Sequence, residues 1–175
     1  MDRHDPLIDG AGATYNAASE AYDAPALSFR DRLSHAAVEQ LKLLRGGRVL
    51  DVCCGTGAAA LAAAQAVGPG GSVLGLDLAE RQLELARAKA HALGLVQARF
   101  EIGNLNGLAA PAESFDATLC MLGIFFVKDM DAALARLWQT VRPGGVLALS
   151  TWAERAFEPG NFTFWRAVGE VRPDL

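Results

Sequence analysis

The sequence has little of what marks several whole classes of protein. Its three cysteines, Cys53, Cys54 and Cys120, are an odd number and fall at or beside expected strand ends. That excludes a disulfide frame and reads as reduced thiols of a cytoplasmic protein. The three histidines, His4, His35 and His91, stand at no spacing that suits a zinc site with those cysteines, so no metal is expected. No apolar run approaches the ~18 residues of a membrane span, and the opening MDRHDPLIDG holds no apolar segment of signal-peptide type. Basic excess is missing too: 16 Lys and Arg against 20 Asp and Glu leave a formal net charge of −4. Phosphate backbones need a basic face, so nucleic acid is excluded as the main partner.

What is present is a globular composition. The chain has 175 residues, 51% of them hydrophobic, enough for one domain with a sizeable core. Short apolar runs alternate with helical patterns along it. Strands are expected at residues 48–52, 72–76 (closing on Asp77), 98–102, 117–121 and 146–150. Helices are expected at about 28–44, 58–67, 80–93, from Asp129 or Asp131 to 141, and near 161–171. The inner stripes read Leu33, Ala37, Leu41 and Leu44; then Leu83, Ala86, Ala90 and Leu93; then Ala133, Leu134, Leu137 and Val141. Arg142-Pro143-Gly144-Gly145 reads as a turn, and residues 1–13 as a mobile start. This alternation predicts an α/β fold, a Rossmann-like doubly wound sheet of five parallel strands joined by right-handed crossovers. Residues 1–27 form an N-terminal segment or lid, 28–152 the ligand-binding domain and 153–175 a tail.

Ligands of such sheets bind at the carboxyl ends of the strands. The chain is organised around one such end, VLDVCCGTG at residues 49–57. An acid, Asp51, sits in the first strand just before a glycine turn that opens a helix. Backbone approaches a ligand closely there, and the helix supplies free N–H groups. Asp77, about twenty residues beyond the turn, can accept both hydroxyls of a ribose. Asn104 can hydrogen-bond an adenine edge, with Leu78 and Leu105 on the two faces of the ring. Gly55, Gly57 and Ala60 also satisfy a dinucleotide fingerprint. Asp51, however, would repel a pyrophosphate, which prefers uncharged N–H groups. The acid suits the sulfonium and ammonium of S-adenosylmethionine.

With VLGLDLAERQLELARAKA, FDATLCMLGIFF and VRPGGVLALSTW following in order, the chain resembles the class I S-adenosylmethionine-dependent methyltransferases. The likeness is strongest to the small-molecule group of ubiquinone and menaquinone biosynthesis, over about residues 15–152. The resemblance implies that Asp51 and Cys53, Cys54, Gly55, Thr56 and Gly57 hold the methionine part of the cofactor. It implies Asp77 at the ribose, Leu78, Asn104 and Leu105 at the adenine, and Cys120, Met121 and Leu122 under the sulfonium. Asn104 departs from the pattern, where many relatives carry Asp. Phe125 and Phe126 are expected to wall a small hydrophobic or aromatic acceptor. Tyr15 and Tyr22, in a segment that folds over the cofactor in resembling proteins, are the candidates for a general base. His35 and His91 read as helix-surface residues.

Resembling enzymes continue past the fifth strand with an antiparallel strand pair, which this sequence is expected to lack, as a truncated or natural short form. The bare edge of the fifth strand would then be a self-association hazard. Two other classes stay open: a nicotinamide-dependent oxidoreductase and a cofactor-binding fragment without catalysis.

Overall fold

A computed structural model describes residues 6–156 and 158–174; His4 and the first five residues of the expected mobile start lie outside them. Five parallel strands form one sheet: β1 (Arg48–Val52), β2 (Ser72–Asp77), β3 (Ala98–Ile102), β4 (Phe115–Met121) and β5 (Val141–Ser150), in the order β3-β2-β1-β4-β5. The expected Rossmann-like architecture is therefore found. The order reverses between β1 and β4, and that switch point opens a crevice at the strands' carboxyl ends. β1 lies at the centre, with Val49, Leu50, Asp51 and Val52 all buried. Asp51 is level with Gly75 of β2 and Leu119 of β4.

Helices α3 (Phe29–Leu41), α4 (Ala58–Val67), α5 (Glu80–Ala92) and α6 (Met130–Thr140) cover the sheet. Helix α4 is almost all alanine, and Ala59, Ala60, Ala62, Ala63 and Ala64 are buried with Leu61. Small side chains let it lie close to the sheet and to α3 at little cost in side-chain entropy. Gly57, its N-cap, has φ +88°, and a Cβ there would meet Ala86 at 3.1 Å and the Phe100 ring at 3.2 Å. Glycine is needed both for the backbone angle and for the packing of α4 against α5 and β3.

The inner faces differ in part from those read from spacing. In α3 the buried residues are Ser34 and Val38, with Leu41 partly buried, while Leu33 is exposed. The helix ends at Leu41 because Lys42 is left-handed, so Leu44 leaves the expected stripe and is exposed. Leu93 likewise lies past the end of α5 and turns outward. In α6, Ala133 and Leu137 are buried but Leu134 is exposed. The expected turn at residues 142–145 is an irregularity inside β5: Val141 pairs with Phe115, and pairing resumes at Val146 with Ala117. Both β4 and β5 therefore start earlier than the apolar runs suggest.

The amino-terminal segment is helical, as α1 (Pro6–Ala17) and α2 (Ser19–Tyr22), rather than mobile throughout its first thirteen residues. Gly10 and Gly12 suggested flexibility, but Gly12 lies against Leu78, and α1 packs on α5 and on the turn after β4. The tail carries α7 (Gly160–Val171), whose Phe162, Phe164 and Trp165 are exposed. No described helix is long and apolar enough to cross a membrane.

Candidate active site

Two adjoining cavities lie at the switch point and share Tyr22, Cys53, Met121 and Leu122. In the first, Asp77, Leu78, Asn104 and Leu105 come together with Gly55 and, from the amino-terminal segment, Gly12 and Tyr15. The Gly55 N–H donates to Asp77 Oδ2 at 2.8 Å and the Ala79 N–H to Oδ1 at 2.9 Å. Asp77 thus ties the glycine turn to the end of β2 and keeps spare lone pairs for a ligand. Burial raises its pKa, against the lowering pull of those N–H groups. Asn104 caps the short 3₁₀ turn at Leu105–Gly107, its Oδ1 accepting from the Asn106 N–H at 2.8 Å. The turn-forming role and a place on the cavity wall coincide in this residue.

The second cavity is lined by Asp51, Cys54, Thr56, Ala58, Ala59 and, from α3, Arg30. Asp51 is 1% exposed, and neither carboxylate oxygen has a hydrogen-bond partner among the described residues. Burial drives its pKa up to about 8, with the charge of Asp77 adding to the rise. The Ala60 N–H pulls the other way without meeting hydrogen-bond geometry. An orphaned buried carboxyl is costly and marks a missing partner. Arg30 and the uncapped amino end of α4 bring positive charge to the same cavity, and Asp31 beside Arg30 brings a second acid. An unpartnered acid and a guanidinium on the wall of one cavity can serve an α-amino acid, ammonium at Asp51 and carboxylate at Arg30, whose guanidinium also lies over the Tyr22 ring and donates to the Tyr22 carbonyl. The residues therefore fit the methionine part of S-adenosylmethionine, and Asp77 fits its ribose. Arg30 escaped the sequence reading because it lies on a helix before the first strand, outside any motif.

Not every expected residue lines the cavities. Gly57 is consumed by packing, as above. Cys54 does line the second cavity, but it is buried and its sulfur faces Gly75. Cys120 is fully buried, and its thiol lies close enough to Cys53 to act on it. All three thiols are free. The Cys120 contact and burial push the Cys53 thiol well up, and burial does the same for Cys54, so neither is a ready nucleophile. Cys53 and Leu122 adopt φ of +61° and +55°, strain of the kind found at binding sites. The ends of β1 and β4 meet so closely that a Cβ on Gly123 would stand 2.5 Å from that of Cys53.

The amino-terminal segment is pinned at three places that the sequence did not mark. Asn16 Oδ1 accepts from the Arg81 N–H at 2.9 Å. Gln82 Nε2 donates to the Tyr15 carbonyl at 3.1 Å and to Ser19 Oγ at 3.3 Å. Asp23 accepts from Thr56 Oγ1 at 2.7 Å and pairs with Lys89 at 2.6 Å. Tyr15 and Tyr22 do reach the first cavity, packed edge to face at 5.6 Å. Burial raises both phenols, Tyr22 to about 12, although Arg30 lies 3.5 Å over the Tyr22 ring and lowers it. A general base works best with a pKa near the operating pH, and burial moves both phenols away from it.

Phe126 lines the first cavity and meets Tyr15 edge to face at 5.6 Å, whereas Phe125 stacks behind it at 4.7 Å. The aromatic series continues through Trp152, 6.5 Å from Phe125, to Phe29 at 5.9 Å. Trp152 and Phe29 were not foreseen, since they are far apart in sequence and meet only through the fold.

A switch-point crevice with an orphaned acid behind a glycine turn is the signature expected of a sulfonium-cofactor site. The family described as "Methyltransferase domain" matches residues 49–145, more than half of the chain, and the chain belongs to that family. It is similar to the demethylmenaquinone methyltransferase of Geobacillus kaustophilus, 37% identical over 122 residues, covering 69% of this chain and 52% of the relative. The chain spans about half the length of the curated relatives it matches. A Thiobacillus denitrificans S-adenosylmethionine-dependent methyltransferase solved with S-adenosylhomocysteine is 28% identical, with TM-score 0.56, covering 69% of this chain and 46% of that one. An Aquifex aeolicus S-adenosylmethionine-dependent methyltransferase shares the fold more fully, with TM-score 0.69 at 22% identity, covering 91% and 86%.

Proposed function

We propose that the chain transfers a methyl group from S-adenosylmethionine to a small hydrophobic or aromatic acceptor. The observation that carries this is Asp51, a buried carboxyl without a partner among the described residues, in a cavity that Arg30 also lines. When bound, the cofactor supplies a methyl already activated by its sulfonium. Asp51 holds the ammonium and Arg30 the carboxylate. Asp77 accepts from the ribose, Leu78 and Leu105 flank the adenine, and Asn104 meets its edge. Cys53 and Met121 form the wall beside the reacting centre, with Cys120 close to Cys53. The lid excludes water and the aromatic series from Tyr15 to Trp152 orients a flat acceptor. Alignment of this kind can account for ~7–11 kcal/mol of barrier lowering. Burial raises Tyr15 and Tyr22, and Asp51 is given to the ammonium, which favours an acceptor that ionises readily, such as a quinol, phenol or thiol. A prenylated naphthoquinol agrees with both the aromatic wall and the relatives' named substrate. The free thiols favour a cytoplasmic setting.

A dinucleotide reading is less well supported: Asp51 would face a pyrophosphate, and Gly57 and Ala60 are committed to core packing. Incubation with methyl-labelled S-adenosylmethionine and a panel of naphthoquinols, phenols and thiols tests the proposal. Label is expected in a quinol or phenol. Turnover by none of the panel, with the cofactor bound, would favour a cofactor-binding fragment instead.

A further inference from the structure

Gln82 is the second buried polar side chain left incomplete at the site. It is 1% exposed, and its Oε1 has no hydrogen-bond partner among the described residues. The amide orientation is fixed by its other end, because the Tyr15 carbonyl can only accept and Ser19 Oγ already gives its hydrogen to that same carbonyl at 2.7 Å. The nitrogen must therefore face the lid and the oxygen the cavity. Oε1 lies 3.7 Å from where a Cβ on Gly55 would stand, and the Gly55 N–H is held by Asp77. A donor is wanted beside the Gly55–Asp77 pair. Of the donors on an S-adenosyl ligand, the ammonium is matched by Asp51 and the adenine amino group by Asn104. The ribose hydroxyls remain.

We propose that Gln82 is a latch between cofactor and lid: Oε1 accepts from a ribose hydroxyl while Nε2 holds Tyr15 and Ser19. Gln82 is thus a cofactor-reading residue that couples ribose binding to closure of α1 and α2. The proposal rests on the S-adenosyl reading above. An apolar side chain at this position would fill the space and do neither job. The coupling makes the lid's order depend on the cofactor, so an acceptor meets its closed pocket only after the cofactor is in place.

Calorimetric titration of wild type and Gln82→Met with S-adenosylhomocysteine and its 2′-deoxy and 3′-deoxy analogues tests this. Wild type is expected to lose roughly three- to tenfold in affinity for at least one analogue, the worth of one hydrogen bond. For one analogue that penalty shrinks at least threefold in Gln82→Met. Amide exchange over residues 10–22 is expected to slow on ligand binding in wild type and to slow much less in the variant. Ser19→Ala, which touches the lid end alone, is expected to speed lid exchange and keep the ribose penalties. Undiminished penalties for both analogues in Gln82→Met would overturn the latch while leaving the cofactor reading intact. Failure of wild type to bind S-adenosylhomocysteine would overturn that reading itself.

Discussion

Replacing Asp51 by Asn should make the chain more stable and a worse binder. Burial lifts the folded carboxyl to about 8 from the ordinary 3.8. The folded chain then keeps a proton that the unfolded chain releases near 3.8, so stability is fully present below that value and falls as pH rises toward about 8. The slope is ~1.4 kcal/mol per pH unit, so between pH 4 and 7 wild type loses up to ~4 kcal/mol relative to an amide that does not titrate. For a domain of this size that is on the order of 10 °C in melting temperature at neutral pH. The amide oxygen can accept from a ligand ammonium but carries no charge to match it, and loss of one partner of a buried charge pair costs ~3–5 kcal/mol, or about 10²- to 10⁴-fold in affinity. An arriving ammonium must also displace the Asp51 proton. At pH 7 wild type should release about 0.9 proton per S-adenosylhomocysteine bound, and Asp51→Asn none from this site. Melting curves from pH 5 to 8 and titration calorimetry in phosphate and Tris buffers read these effects. A melting difference that does not grow with pH, or a wild-type binding heat independent of buffer, would mean that Asp51 is already ionised in the free protein.

Arg30→Met is expected to weaken S-adenosylhomocysteine binding about tenfold or more, the worth of a charge-assisted contact, and to leave 5′-methylthioadenosine, which lacks the amino-acid end, unchanged. Equal losses for both ligands would move Arg30 away from the carboxylate. Tyr15→Phe and Tyr22→Phe should each change turnover far less than the ~10²-fold that loss of a general base costs; a larger fall in kcat with a lost pH limb would restore the base assignment. Gly123→Ala forces a Cβ to 2.5 Å from that of Cys53 and should cost ~1–3 kcal/mol of stability by overpacking, read by denaturant melts. β5 ends the sheet, and we expect its edge to pair two copies, giving a concentration-dependent dimer in light scattering that Leu149→Lys weakens. A monomer at every concentration would remove that expectation.

The strand pattern carried the fold well. β1 and β3 run over the predicted residues, because buried parallel strands read as short apolar runs between clear breaks. The errors lie where backbone conformation overrides side-chain spacing. Lys42 turns left-handed and frees Leu44, and Val141 begins a strand in place of ending a helix. In the site, residues on motifs at strand ends were legible: Asp51, Asp77 and Asn104 fall where their spacing put them. Arg30, Gln82, Phe29 and Trp152 were not, because each reaches the cavities or the aromatic series only through contacts made in the folded chain. The tyrosines show a different limit. Their position was foreseen, but the burial that raises their pKa depends on contacts with Phe126 and each other in three dimensions.

The most direct test of the cofactor assignment is parallel titration of the wild-type chain with S-adenosylhomocysteine and with NADH. Saturable binding of S-adenosylhomocysteine, with proton release at pH 7 and no NADH binding, is the predicted result. Binding of NADH without S-adenosylhomocysteine would contradict the account.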